Sequence, residues 1–345
     1  MTTYREHRKL VLSAALAFGV TLGVPPLAQA SGSDTDTTEG AEPQEVTINR
    51  LAGGDRYATA AQGAMSLGQA DRVYLASGVD FPDALAGSPA AIVDSAPLVL
   101  TKADQLPQAT REALDVLAPQ EVVVVGGETA ISDDVLAQVE EITSTKVTRV
   151  YGQNRFGTAM SLALERFEAK YVDNVYVVSG EDYPDALSSG PAAGLAGSPI
   201  LLTQQGHVPA ETLNALQELD PALITVVGGE LAVSEDVVNT LGDYTDDVQR
   251  IAGEDRYQTS ALVADRVSPA DDSYVASGED YPDALAGAAL AGNDLSALLL
   301  TRPEDLPQDT AQSLTERAPS TVTLFGGELA ITDSVRVAIM NLFVD

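Results

Sequence analysis

Residues 72–93 read RVYLASGVDFPDALAGSPAAIV. Arg72 to Ala76 is short, apolar and rich in strand formers, and it stops at Ser77-Gly78. Pro82 stands where the first residue of a helix belongs, behind Asp80 or Phe81 as the cap, and small residues carry that helix to about Val93. A buried strand running through a tight turn into a helix is half of a βαβ unit. The nine residues SGVDFPDAL at 77–85 return as SGEDYPDAL at 179–187 and again at 277–285. The chain is therefore a tandem repeat of an α/β unit.

Other motifs keep the same order in each copy. LAGGDRY at 51–57 returns as VYGQNRF at 150–156 and IAGEDRY at 251–257. Gly126-Gly127-Glu128 matches Gly228-Gly229-Glu230 and Gly326-Gly327-Glu328. The copies span 48–148, 149–248 and 249–345. Each has the length of a small domain, which predicts that each holds its own core. In the first copy, Thr47 to Leu51 reads as a strand and Asp55 caps a helix to about Leu67. Pro97 to Thr101 is a strand, Pro107 opens a helix that Pro119 ends, Glu121 to Val125 is a strand, and Ser132 caps the last helix. The strands are continuously apolar, as when both faces are covered. Strict alternation predicts three Rossmann-like α/β modules with mainly parallel sheets. The strand order stays open.

The amino-terminal 30 residues read as a secretory signal. Arg5, Arg8 and Lys9 precede an apolar run from Leu10 to Val24, and Ala28-Gln29-Ala30 offers a cleavage site before Ser31. Residues 31–47 are mostly Ser, Thr, Gly and acids, the composition of a disordered acidic spacer. Later apolar runs are too short to cross a bilayer. The expectation is a secreted, cell-surface protein with no membrane span after cleavage, in which signal, spacer and repeats leave no segment for an appended enzyme.

The chain carries 19 Lys+Arg against 51 Asp+Glu, a net charge of −32, and without residues 1–30 the balance is 16 against 50. Such a surface repels phosphates at long range, which argues against nucleic acid as a partner. There is no Cys, and beyond the signal the sole His is His207. Zinc sites built on His and Cys, Cys nucleophiles and a triad present in every copy are excluded. The glycine turns lack the Gly-x-Gly-x-x-Gly and Gly-Lys-Ser/Thr fingerprints of nucleotide sites.

Two sets of residues remain as candidates. Asp80, Asp83, Asp182, Asp185, Asp280 and Asp283 stand where strand passes to helix, where ligand sites of α/β sheets lie. They read first as caps and dipole partners, and second as ligands for a divalent cation. Three identical sites fit multivalent binding better than paired-carboxylate glycosidase chemistry. Arg56, Arg155 and Arg256 recur after the cap of each first helix, either as partners of a carboxylate within or between copies or as a fork for an anionic ligand such as phosphate.

Taken together, these motifs resemble the type 2 cell wall-binding repeat of clostridial and other Gram-positive surface proteins, over nearly all of residues 48–345. The resemblance implies Toprim-like modules packed as a pseudo-threefold unit. It also implies non-covalent attachment to a secondary wall polymer, a teichoic acid-like or anionic polysaccharide, without catalysis. The family's Ile-Leu-Leu motif falls on Ile200-Leu201-Leu202 and, with departures, on Leu98-Val99-Leu100 and Leu298-Leu299-Leu300. Read from the residues alone, these triplets are buried central strands. So acidic a chain needs divalent cations, focused arginines or a near-neutral polymer to approach such a ligand. The rival readings are a self-associating surface-layer or matrix protein and a phosphoester or wall hydrolase; no copy supplies the Asp-x-Asp that Toprim chemistry requires.

Overall fold

The computed structural model describes residues 46–182, 184–279 and 281–344. The expected signal segment, the spacer up to residue 45, and Asp280 lie outside the described residues. Strands and helices alternate. The first copy runs β1 (Thr47–Leu51), α1 (Arg56–Ser66), β2 (Arg72–Ser77), α2 (Phe81–Val93), β3 (Leu98–Thr101), α3 (Gln108–Leu117), β4 (Glu121–Val125) and α4 (Asp133–Thr143). The second runs β5 (Lys146–Val150), α5 (Arg155–Arg166), β6 (Asn174–Ser179), α6 (Ser189–Leu195), β7 (Ile200–Thr203), α7 (Ala210–Leu219), β8 (Leu223–Val227) and α8 (Glu235–Leu241). The third runs β9 (Val248–Ile251), α9 (Arg256–Ala264), β10 (Asp272–Ser277), α10 (Tyr281–Asn293), β11 (Leu298–Thr301), α11 (Gln308–Arg317), β12 (Thr321–Phe325) and α12 (Asp333–Asn341).

The helices begin where their caps dictate. Asp55 and Asn154 accept from Ala58 N and Gly157 N, and Asp255 accepts from Tyr257 N and Gln258 N. Ser132 and Ser234 cap α4 and α8. Each such bond satisfies a backbone donor that the helix itself cannot.

Three four-stranded, all-parallel sheets form, in the orders β3-β2-β4-β5, β7-β6-β8-β9 and β11-β10-β12-β1. The sheets are offset from the sequence copies. β5, which straddles the 148/149 boundary, completes the first sheet, and β9 completes the second. β1 completes the third, pairing from Thr47↔Thr321 to Leu51↔Phe325. β1, the first strand among the described residues, thus closes the three modules into a ring.

The core is shared in the same way. A single cluster of buried apolar residues runs through all three modules, with a second confined to the first. Helices α2, α6 and α10 pack on one another at the centre, and each packs on the first helix of the following copy: α2 on α5, α6 on α9, α10 on α1. Small residues permit this approach. A Cβ on Gly190 would lie 2.4 Å from Ser88 Oγ, and Cβ atoms on Gly194 and Gly292 would lie 2.6 and 2.3 Å from Ile92. The expectation of three self-sufficient cores gives way to a core shared among the three sheets, beside a smaller one in the first module, because each copy hands its first strand to a neighbour.

Candidate functional site at the module junctions

In each sheet the chain leaves the second strand in the order toward one edge and returns to the third strand on its other side. The carboxyl ends of those two strands diverge there, the place where open α/β sheets form a crevice. In the first sheet the crevice lies between β2 and β4. Ser77 to Asp83 follows β2, Gly126-Gly127-Glu128 follows β4, and β5 delivers the Gly152-to-Arg155 turn of the second copy beside them. All three motifs that recur in the sequence meet at this junction.

Asp83 lies at its centre. Its Oδ2 lies where Gly126 would carry a side chain: a Cβ there would sit 2.5 Å away, and Gly126 has φ +117°. Glycine is required on both counts. Gly326 stands in the same relation to Asp283, and Gly228, more loosely, to Asp185. Across the junction, Thr158 of the second copy hydrogen-bonds Asp83 while accepting from Gly152 N at 3.2 Å. Burial, aided by the nearby Asp80 charge, pushes the Asp83 carboxyl up to about 6 against the pull of Thr158 and Arg155. Asp185 is raised chiefly by burial as well, opposed by a backbone bond from Gly229 and by Thr259 of the third copy. Asp283 is 8% exposed.

Asp80 caps α2, accepting from Phe81 N at 3.1 Å, and its other face meets Arg155 Nη2 at 3.5 Å. Arg155 Nη1 donates to Gly180 O at 2.5 Å; Arg56 and Arg256 donate likewise to Gly78 O and Gly278 O, at 2.9 and 2.6 Å. Each arginine thus fastens its helix start to the end of the next strand in its own copy. Arg155 also lies 5.9 Å from the ring of Phe81, and Arg56 5.8 Å from that of Tyr281. Phe81 and Tyr281 meet edge to face at 6.0 Å, and the Tyr281 hydroxyl donates to Val79 O. These arginines are half-buried members of the junctions, with 35% of the Arg155 side chain open to solvent.

The other candidates lie apart from this site. Ile200-Leu201-Leu202 form most of β7, and Leu98-Val99-Leu100 and Leu298-Leu299-Leu300 most of β3 and β11; every one of these side chains is at most 2% exposed. A polymer reaches none of them in the folded chain, because they are core. Asp182 lies before α6, its backbone N–H held by Ser179 Oγ at 2.9 Å. Among the described residues, no group of three or more His, Cys, Asp or Glu is placed to hold a metal ion.

Sequence reading passed over a second repeated arginine. Arg149 donates to Gly126 O and Ile131 O, at 2.8 and 2.9 Å, and pairs with Asp133 at 2.9 Å. Arg250 does the same with Gly228 O, Val233 O and Glu235, and Arg50 reaches Gly326 O at 2.9 Å across the ring closure. These three precede Arg56, Arg155 and Arg256 by six residues each, a spacing that alignment of the copies shows. A link from the first copy to the second was also missed, and its tyrosine–aspartate half recurs in the third copy, where the Tyr274 hydroxyl donates to Asp294. Asp94, with its side chain 6% exposed, accepts from the Tyr74 hydroxyl at 2.6 Å and pairs with Arg72 at 2.8 Å and with Arg166 of the second copy. The matching residue of the second copy is Ala196.

A closed ring of three α/β repeats whose recurrent motifs build the junctions defines a tandem-repeat protein of interdependent modules. The model of cell wall binding domain 2 (CWB2) matches residues 50–136, 149–238 and 250–336, and the chain belongs to that family. It is 28% identical over 297 residues to N-acetylmuramoyl-L-alanine amidase LytC of Bacillus subtilis (strain 168), covering 86% of this chain and 58% of that protein. Two solved structures from Clostridium difficile share the fold. Cwp8 superposes with a TM-score of 0.77 at 27% identity, covering 87% of this chain and 53% of the other. Cwp6 gives 0.79 at 23% identity, covering 91% and 51%. The chain spans between half and three-fifths of each of these proteins. Family and relatives place it at the cell wall.

Proposed function

We propose that the ring attaches the protein non-covalently to the cell wall by binding a secondary, anionic wall polymer, and that it is non-catalytic. The observation that carries this reading is the match of a wall-binding family to all three copies of one closed unit. Three equivalent faces on one rigid body give avidity from weak single contacts. Absence of catalysis is supported by the use of the crevice residues. Asp83 and Asp185 are engaged by Thr158 and Thr259, and Asp80 by Arg155. Residues spent on holding modules together are poor acids, bases or nucleophiles.

Retention on purified walls before and after extraction of the secondary polymer tests the proposal. Binding that survives complete extraction overturns it. The charge of −32 opposes approach to an anionic polymer, so divalent cations bridging surface carboxylates to the polymer complete the proposal. Chelation with EDTA at fixed ionic strength then lowers retention; unchanged or increased retention assigns the contact to arginines instead.

A further inference from the structure

We infer that the second copy carries a site for a neutral hexopyranose unit, in a recess of about 270 Å³ lined by Asn154, Phe156, Gln204, His207 and Glu211. It deepens the wall-polymer reading, on which it rests for the ligand's source. The three copies are built alike here, with an aromatic ring one residue after the repeated arginine facing the loop that follows the Ile-Leu-Leu strand. In the first copy Lys102 Nζ stands 5.8 Å over the Tyr57 ring, and in the third Arg302 stands 4.6 Å over Tyr257 and pairs with Asp255. Both tyrosines are buried, at 8% and 5% exposure. In the second copy the cation is replaced by Gln204, the cap by Asn154 and the tyrosine by Phe156, which is partly exposed. The place of the cation is open space.

What lines that space has the chemistry of sugar recognition. A pyranose presents a face of C–H groups that packs on an aromatic ring, and a rim of hydroxyls that each donate and accept. Around Phe156 stand two carboxamides, an imidazole and a carboxylate, which together supply both donors and acceptors. The rim is preorganised: Asn154 Nδ2 donates to Glu211 Oε1 at 2.8 Å, and the turn bearing His207 is tied by Gln204 N and Thr203 Oγ1, both donating to His207 O at 3.1 Å. Glu211, with Glu181 within 3.4 Å of Gln204, repels phosphates and uronates. The recess therefore takes a neutral unit of a wall glycan, and it does so in one copy of three.

The test uses the full chain, with the His207 imidazole followed by NMR during titration with glucose and N-acetylglucosamine, and with glucose 6-phosphate as the charged comparison. Gln204→Lys restores the cation of the other copies without removing packing, whereas Phe156→Ala would also strip the ring that lies against Gly180. A neutral sugar shifts the His207 signals in the wild type and not in Gln204→Lys, and the variant loses about tenfold in retention on walls. No shift with either neutral sugar, an equal shift in Gln204→Lys, or a stronger response to glucose 6-phosphate overturns the site. Wild-type retention on walls without any His207 response sinks the recess and leaves wall attachment standing. A His207 response abolished by Gln204→Lys, without retention on walls, supports the recess and sinks the attachment.

Discussion

At the scale of single residues, the acids were legible by position and illegible by role. Asp83 could be seen behind Pro82 at a helix start, but its partner Thr158 lies in the next copy, and no local pattern announces a contact made across a junction. Its pH dependence follows from burial. The folded value near 6 lies above the ordinary 3.8, so between the two the native chain keeps a proton that the unfolded chain has released. The group's contribution is complete below about pH 3.8 and is lost as pH rises through about 6. Asp83→Asn should therefore match the wild type at the acidic end and exceed it by up to about 3 kcal/mol at pH 7. Urea melts at three pH values check this, and a variant less stable at pH 7 would show the charged form to be favoured. The arginines make a contrasting pair. Arg149→Ala removes two carbonyl contacts and an ion pair from a side chain only 14% exposed, and should cost about 1–3 kcal/mol. Arg56→Ala, Arg155→Ala, Arg256→Ala and the triple variant should lower the melting temperature. Melts unchanged beside lost wall binding would assign those guanidinium groups to the polymer.

Elements were the most legible level, because caps, prolines and β-branched runs act within a few residues. Asp55, Asn154, Ser132 and Pro107 all stand where sequence reading put a helix start. The second copy departs from this: α6 begins only at Ser189, whereas α2 and α10 begin at Phe81 and Tyr281. Ser188 and Ser189 stand there in place of the Ala-Gly pairs at 86–87 and 286–287, and serine competes for backbone hydrogen bonds in non-helical turns. Strand order was not legible, since strands buried on both faces carry no alternation to fix a register and their parallel partners are remote in sequence. Helices α3 and α11 end on exposed alanines in the left-handed region, Ala118 and Ala318, both with φ 46°. Glycine has no Cβ to strain there, so Ala318→Gly should raise stability by about 0.5–1 kcal/mol. Thermal melts measure the gain, and a loss would show that unfolded-state entropy outweighs the relieved strain.

At the scale of the whole molecule, the repeat announced three modules but not their interdependence. Each copy was long enough to fold alone, yet each lends its first strand onward, so residues 46–145 in isolation lack a fourth strand for their sheet and keep a first strand with no partner. That fragment should show no cooperative unfolding transition by circular dichroism; a sharp one would prove the copies autonomous. The closure by β1 also has a mechanical consequence. Tension arriving through the segment ahead of Thr47 enters the ring at one place, the parallel ladder that joins β1 to β12 over five residue pairs. Drawn along its own axis against a third module held at a surface, such a ladder bears the pull on all its bonds together, in shear. Arg50, anchored to Gly326 O, adds a transverse pin to the same seam. When the seam yields, the ring opens between third and first copies, while the β4–β5 and β8–β9 seams lie off the line of force and keep the three bodies strung together. In single-molecule pulling the β1–β12 seam ruptures first, and Arg50→Ala lowers that first force alone. The protein behaves as a latch with a single catch, placed at the end from which it is tugged.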